Sequence, residues 1–385
     1  MSSPSADLIA DESRASSGNM DNRGYTPSAT EPLTHANVDN VPDDKLMTEA
    51  SASSIGDSIL EVDHSSSTQD DSDTHSIASS FSSTHSATSS VYDFVEEHGR
   101  TYHKYKEGKY VLPNDVEEQN RLDLQHQLVL KLLDGRLQLA PIPATVQNVL
   151  DVATGTGIWA IEFAQRYPEA SVTGTDLSPI QPEYVPANCQ FEIDDAEDEW
   201  VFSRKFDFIH IRFVMTCFAN PRFVIEQAYQ ACAPGGYLEM QDGVFPLHCH
   251  DDSLEGTVLD AWAKSCHEAG TKVGRPWNNA VNYKRWMEEI GFEDVKEKIF
   301  EVPTNPWPKG RRAKELGMWF NADLSEARSA SKVLLLKMLQ WPPEKVEPFL
   351  EEVMIDLRKK EIHAYMPIHV VYGRKPLLKS ASASG

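Results

Sequence analysis

The chain has 385 residues, 40% of them apolar and 9% aromatic, and its formal net charge of −23 corresponds to a pI near 4.9. Direct binding to nucleic acid or to an anionic membrane needs a clustered basic face, so this composition predicts neither partner. Because no apolar stretch approaches the roughly 18 residues that cross a bilayer, and five scattered cysteines form no CxxC pair, we expect a protein of the nucleus, the cytoplasm or both.

The first quarter of the chain differs in composition from the rest. Residues 1–100 contain 18 acidic and 4 basic side chains, and they are rich in serine. Such a segment buries too little apolar surface to offset the conformational entropy lost on folding. We therefore predict a disordered acidic, serine-rich arm over residues 1–90, a folded domain over 91–376 and a disordered tail over 377–385.

Beyond the arm, apolar residues at helical spacing predict a helix over residues 114–133, with Asn114 or Asp115 as its N-cap. Strand-like and helix-like stretches then alternate, which is typical of βαβ units and a parallel sheet. The predicted strands cover residues 149–152, 171–176, 189–193, 206–211 and 237–240, and the predicted helices between them cover 158–167 and 223–232. The sequence thus predicts an α/β fold.

The C-terminal half is predicted to be mainly helical. Helices are expected over residues 254–269, 283–290, 313–339 and 344–360, with a strand over 295–302. A β-branched run over 369–372 is expected to close the sheet. The helical segment 253–290 is the candidate lid over an acceptor pocket.

Glycines follow the first strand of the predicted sheet. Asp151 ends that strand, and Gly155 and Gly157 come directly after it, where the absence of a side chain lets backbone approach a small ligand. Asp176 ends the second strand about twenty residues later, at the position where a carboxylate accepts hydrogen bonds from ribose hydroxyls. We therefore expect a nucleoside cofactor here.

Residues 155–160 also satisfy the dinucleotide pattern G-x-G-x-x-G/A, so a nicotinamide or flavin enzyme is an alternative. Asp151 favours another cofactor, because its carboxylate would repel a pyrophosphate but could bind a cationic amino group. S-adenosylmethionine carries that ammonium. Asp195, beside the small Ala196 after the third strand, adds an acceptor for an adenine amino group.

No catalytic base or metal site is assigned. The candidate bases are His126, His210, Asp242 and His248, and for His210 a hydrogen-bonded structural role is the favoured interpretation. The cluster at 248–252 has the composition of a metal site. However, adjacent residues of a strand point to opposite faces, so no metal is predicted. Tyr102, Tyr105 and Trp159 are candidate rings for shielding a sulfonium.

The chain resembles the fungal LaeA-like methyltransferases, regulators of secondary metabolism and development within the class I S-adenosylmethionine-dependent superfamily. The resemblance covers roughly residues 90–376. It is carried by the segments GRTYHKY (99–105), EQNRLD (118–123), GTGIWAIE (155–162), IQP (180–182), SLEGT (253–257), NPW (305–307) and EIHAY (361–365). The superfamily usually has glycine where this chain has Ala153.

This resemblance implies a Rossmann-like, seven-stranded class I sheet with a helical lid and helical insertions, and S-adenosylmethionine as cofactor. It places Asp151, Gly155 and Gly157 around the methionine portion, Asp176 at the ribose, and Asp195 with Ala196 at the adenine. Leu177 is a further expected cofactor-binding residue. Velvet-type regulatory proteins are the implied partners. Two alternatives stay open, namely a biosynthetic small-molecule O- or N-methyltransferase and a non-catalytic cofactor-binding module.

Overall fold

A computed structural model describes residues 93–97, 99–106 and 108–378. The predicted arm lies outside these residues, and so does most of the predicted tail. The described chain opens with an antiparallel hairpin of β1 (Phe94–Glu97) and β2 (Arg100–His103), which the sequence analysis did not predict. The first helix, α1 (Val116–Leu132), begins as expected, because the side chain of Asp115 accepts a hydrogen bond from the Glu118 amide.

Five parallel strands form the centre of the main sheet, in the spatial order β5-β4-β3-β6-β7. They are β3 (Asn148–Val152), β4 (Ser171–Asp176), β5 (Cys189–Ile193), β6 (Phe206–Arg212) and β7 (Cys232–Gly243). Two helices connect parts of this layer, α2 (Ile158–Arg166) and α3 (Pro221–Ala231). All five predicted strands and both predicted helices are present.

Two antiparallel strands complete the predicted seven. The strand β10 (Ala364–Arg374) pairs with β7 along one edge and with β9 (Glu293–Pro303) along the other. A two-residue strand, β8 (His248–Cys249), also pairs with β10 and makes the sheet eight-stranded. The strand predicted over 369–372 is therefore much longer than expected, and nearly all of its residues are buried.

The remaining helices are α4 (Val258–Lys272), α5 (Tyr283–Ile290), α6 (Arg311–Val333) and α7 (Pro343–Arg358). A π-helical turn, Leu334–Met338, extends α6. Helices α1, α4, α6 and α7 share one apolar core, to which Trp262, Phe320 and Leu350 belong. No helix in the described ranges has the length and apolarity that a bilayer span requires.

The sheet brings distant residues to one edge. Because β3 to β6 run parallel, their carboxyl ends lie side by side, and in open α/β sheets such an edge is where ligands bind. Asp151 precedes the last residue of β3, Asp176 ends β4, Asp194 follows β5 and Arg212 ends β6. The next feature along the chain after β3 is the glycine loop that leads into α2.

Candidate cofactor site

A cleft opens at this edge between the sheet and α1. Six of the seven predicted cofactor residues line it, namely Asp151, Gly155, Asp176, Leu177, Asp195 and Ala196. These residues come from three strand ends that are up to 45 positions apart in the chain. Gly157, the seventh, is not part of the cleft wall.

The carboxylate of Asp151 is held from two sides. Its Oδ1 lies 2.7 Å from Nδ1 of His210, and its Oδ2 accepts a hydrogen bond from the Thr154 hydroxyl. The ring of His210 stacks on Trp159, with 3.8 Å between centroids. These contacts fix the orientation of Asp151 while leaving lone pairs on both oxygens for a ligand.

The glycine loop is tied to β4 by Asp176. The Gly155 amide donates to Oδ2 of Asp176, and the Ser178 amide donates to Oδ1, both at 2.9 Å. Gly155 has φ +60°, in the left-handed region that favours glycine. Burial raises the pKa of Asp176 to about 6, against the opposing effect of the backbone hydrogen bonds. Asp176 is thus ionised at neutral pH and poised to accept further hydrogen bonds.

Gly157 has a structural reason to be glycine. Its φ is +80°, and a Cβ atom there would lie 2.3 Å from Cζ of Phe191, whose ring fills the space behind the loop. The sequence pattern predicts that this glycine makes room for a ligand, whereas in the structure the room is filled by the ring of Phe191 from β5. Ala153 shares the left-handed conformation, with φ 54° at a position where the superfamily usually has glycine.

Asp195 forms ion pairs with two lysines. Its Oδ2 lies 2.9 Å from Nζ of Lys106 and 3.0 Å from Nζ of Lys109, and its Oδ1 accepts from the Glu197 amide. Desolvation opposes ionisation of Asp195, but these hydrogen bonds and charges prevail and lower its pKa. An adenine amino group would therefore share this carboxylate with two lysines or displace them.

Only His210 among the four candidate bases lines the cleft. Burial lowers its pKa, and its ring is held by Asp151, so the favoured structural interpretation agrees with its surroundings. Burial also lowers the pKa of His126, to about 2. Asp242 is fully buried and accepts a hydrogen bond from the Tyr283 hydroxyl, and burial raises its pKa to about 7. His248 lies on β8, away from the cleft.

A second cavity adjoins the cleft, and we call it the aromatic chamber. Its walls come from α1, α4, α6 and the segment after β6, and its rings are those of Tyr110, Phe213, Phe245, Trp262, Trp277 and Phe320. Four residues line both cavities, namely Tyr110, Leu122, Gln125 and Phe213. The predicted lid supplies Trp262 and Trp277, while α6 forms a further wall that the sequence analysis did not anticipate.

The ring candidates from sequence have mixed positions. Trp159 lines the cleft, but it is almost fully buried and its indole N–H donates to the Leu137 carbonyl. Tyr102 packs against the apolar core of the helices instead. Tyr110, which sequence reasoning passed over, is the tyrosine that borders both cavities.

Arg212 is another residue that sequence reasoning missed. It ends β6 and lines the cleft near Asp151, and its Nη2 donates to Nδ1 of His126 at 2.9 Å. A single arginine at a strand end belongs to no motif. Only the strand order of the sheet, which places β6 beside β3, draws attention to it.

These features fit an S-adenosyl nucleoside better than a dinucleotide. Acidic groups follow three neighbouring strands, where a pyrophosphate would meet repulsion and a cationic amino acid would meet attraction. The glycine loop supplies a close backbone approach at Gly155. The fold and the site therefore define a class I S-adenosylmethionine-dependent methyltransferase.

Comparisons with known proteins agree. Residues 124–297 match a family described as a methyltransferase domain. Methyltransferase pytC of Aspergillus terreus is 36% identical over 302 residues, covering 77% of this chain and 92% of that protein. The secondary metabolism regulator laeA of Aspergillus fumigatus is 36% identical over 304 residues, covering 77% and 81%. The protein-methionine methyltransferase laeA of Emericella nidulans is 34% identical over 303 residues, with the same coverages. The chain belongs to the LaeA-like methyltransferase family.

Proposed function

We propose that this methyltransferase acts in the regulation of fungal secondary metabolism and development, and that the aromatic chamber receives the group to be methylated. The observation that carries the proposal is the junction of the two cavities. A methyl donor in the cleft and an acceptor in the chamber would meet where Tyr110, Gln125 and Phe213 form a common wall. Two relatives whose names describe regulation or protein methylation support the role.

When bound, S-adenosylmethionine supplies a methyl group already activated by its sulfonium sulfur. The protein then has to align the acceptor with the methyl group and to exclude water. Alignment of this kind contributes roughly 7 to 11 kcal/mol to catalysis. Phe213 and the aromatic walls keep the junction apolar. Tyr110 and Gln125 offer hydrogen bonds there without carrying charge.

The junction favours an acceptor that loses no proton. Burial raises the pKa of Tyr110 well above its ordinary value, so this phenol stays protonated at neutral pH. Gln125 does not titrate. A thioether needs no base, which makes a methionine side chain, the acceptor named for the Emericella nidulans relative, compatible with these walls.

A biosynthetic role is the second candidate. The chamber is lined mainly by rings and aliphatic side chains, and it is closed by helices on several sides. Such a site suits a small apolar metabolite as well as a protein side chain. The activity would then modify one pathway product.

A strain carrying Asp176→Asn at the chromosomal locus separates these roles. The substitution removes the anionic ribose acceptor, and we expect several unrelated metabolite families to decline together. Accumulation of one desmethyl compound would instead support the biosynthetic role, and an unchanged profile would contradict both. Asp294→Asn is the matched control, since Asp294 is exposed and pairs only with Arg374 at the far end of β9.

Partners and location follow the same proposal. The LaeA resemblance suggests velvet-type regulatory proteins as partners and the nucleus, the cytoplasm or both as location. Co-purification of the full chain with a tagged velvet protein, together with cell fractionation, tests this. Absence of the velvet protein from the purified material would remove it as a partner.

A further inference from the structure

The guanidinium of Arg212 has spare hydrogen-bonding capacity inside the protein. Its Nη2 donates to His126, but its Nη1 is withdrawn from water and has no hydrogen-bond partner in the structure. Buried guanidinium nitrogens are normally satisfied, because an unmet donor loses its hydration without compensation. The unpartnered Nη1 therefore points to a hydrogen-bond acceptor on a bound ligand.

Strand geometry aims Arg212 at the cleft. Side chains two residues apart on a strand share a face, so Arg212 lies on the same side of the sheet as His210, one step nearer the carboxyl edge. His210 pairs in register with Asp151. Arg212 thus extends past Asp151 at the edge, and both side chains belong to the cleft wall.

The position of the guanidinium is fixed from α1. Burial keeps His126 neutral, so its Nδ1 can accept a hydrogen bond from Arg212. Burial also lowers the pKa of Arg212, to about 10, partly offset by Asp151 and Glu162. Arg212 remains a cation at neutral pH.

Each end of the cleft wall combines a cation with at least one carboxylate. Among the cations that the structure describes in its wall, Lys109 is paired with Asp195 and Glu197 at the predicted adenine end. Arg212 lies at the other end, beside Asp151. An adjacent carboxylate and guanidinium complement the two charges of an α-amino acid.

We infer that Arg212 binds the α-carboxylate of S-adenosylmethionine, while Asp151 binds its ammonium. The inference rests on the cofactor assigned above and names a binding residue for it. An arginine–carboxylate contact is charge-assisted and among the strong hydrogen bonds of proteins. The enzyme should consequently discriminate against a cofactor that lacks this one group.

Decarboxylated S-adenosylmethionine tests this, since it keeps the sulfonium and the amine and lacks only the carboxylate. Calorimetric titration of the full chain at neutral pH should show that the wild type prefers S-adenosylmethionine by at least about tenfold. Arg212→Gln should abolish the preference by weakening S-adenosylmethionine alone. Asp151→Asn should weaken both ligands and keep the ratio. Arg222→Gln, an exposed arginine on α3, is the matched control.

Three outcomes would overturn the inference. One is a wild type without preference between the two ligands, a result that needs no variant to fold. Another is an Arg212→Gln protein that loses both ligands equally, because that pattern indicates a structural role. The third concerns Arg212→Lys, which keeps a cation at this position. It is the finding that this variant prefers S-adenosylmethionine over the decarboxylated ligand no more than Arg212→Gln does. A wild type that binds neither ligand would overturn the cofactor assignment as well, and so is distinguishable from these.

Discussion

At the scale of single residues, the cleft contains carboxylates in two different electrostatic environments. Asp195 is stabilised as an anion by Lys106 and Lys109, whereas Asp176 has its pKa raised to about 6 by burial. Because the pKa of Asp176 is higher in the folded protein than its ordinary value of 3.8, its ionisation lowers the free energy of unfolding as the pH rises to about 6. Above that pH the whole cost is present. The same ionised form is the one predicted to accept hydrogen bonds from the ribose hydroxyls of the cofactor.

Affinity should therefore fall as the pH falls through about 6, because protonated Asp176 loses acceptor capacity. For S-adenosylhomocysteine, whose ammonium stays protonated throughout, we expect a loss of at most about tenfold for each pH unit below that value, levelling off near the affinity of Asp176→Asn. Titrations between neutral and acidic pH measure it. Asp176→Asn should bind more weakly and lose this pH dependence, whereas an equally steep profile in the variant would assign the effect to another group.

Ala153 provides a test of backbone strain. It is a non-glycine residue at φ 54°, and a left-handed conformation costs an L-residue roughly 1–2 kcal/mol. Ala153→Gly should remove that cost, partly offset by the greater entropy of the unfolded glycine, and raise the free energy of unfolding by about 0.5–1 kcal/mol. Urea denaturation provides the measurement.

The control for Ala153→Gly makes the same replacement in a helix. Ala322 is exposed within α6, where glycine is about 1 kcal/mol less favourable than alanine. Ala322→Gly should therefore destabilise the protein. If both variants lost stability to the same extent, strain at Ala153 would not be a significant term.

At the scale of elements, α1 supports both cavities at once. Its residues Leu122 and Gln125 line cleft and chamber, and His126 holds Arg212. A buried ion network fixes α1 to α6, since Arg121 donates two hydrogen bonds to Glu118 and one to Asp323. The position of α1, and with it the common wall, depends on that network.

Arg121→Met should be strongly destabilising, because it leaves two buried carboxylates without their cation. Breaking a buried ion pair from one side costs about 3–5 kcal/mol. The triple variant Glu118→Gln, Arg121→Met, Asp323→Asn removes all three charges and should recover most of this loss in urea denaturation. Arg285→Met, which breaks an exposed pair on α5, should change little. A loss for Arg121→Met as small as that of Arg285→Met would contradict the role of the network.

The elements also show what sequence could predict. Strands β4 and β5 match the predicted bounds, and α5 does too, because apolar runs there are bounded by clear turn residues. The predicted start of β7 was wrong, because Pro234 and the two glycines after it are typical of a break between elements. In the structure they form an irregularity inside the strand, where the register between β6 and β7 shifts. The hairpin of β1 and β2 was missed because its short strands are polar and partly exposed.

The residues of the candidate site also fall into those that sequence could predict and those that it could not. Asp151, Gly155 and Asp176 follow a pattern of strand ends and glycines that a single sequence reveals. Tyr110 and Arg212 do not, because their role depends on how a loop, a helix and a strand far apart in the chain converge. The packing of Phe191 behind Gly157 is likewise a matter of tertiary structure.

At the scale of the whole molecule, the sheet and the helices form different parts of the site. The carboxyl ends of parallel strands form the cleft, while α1, α4 and α6 form the chamber around its far end. The helices line the chamber that we propose to receive the acceptor.

The grip of Lys106 and Lys109 on Asp195 has a consequence for exchange kinetics. Both lysines precede α1, and an adenine amino group that binds Asp195 would have to share this carboxylate with them or displace them. Mobile ions screen such pairs, with a Debye length that shrinks from about 8 Å in physiological saline to about 3 Å at 1 M. Added potassium chloride should thus speed the association of S-adenosylhomocysteine, a ligand without net charge, in stopped-flow records. A Lys106→Gln, Lys109→Gln protein should associate quickly at every ionic strength. In the wild-type protein, the rate of ligand exchange would therefore depend on the ionic strength of the cell.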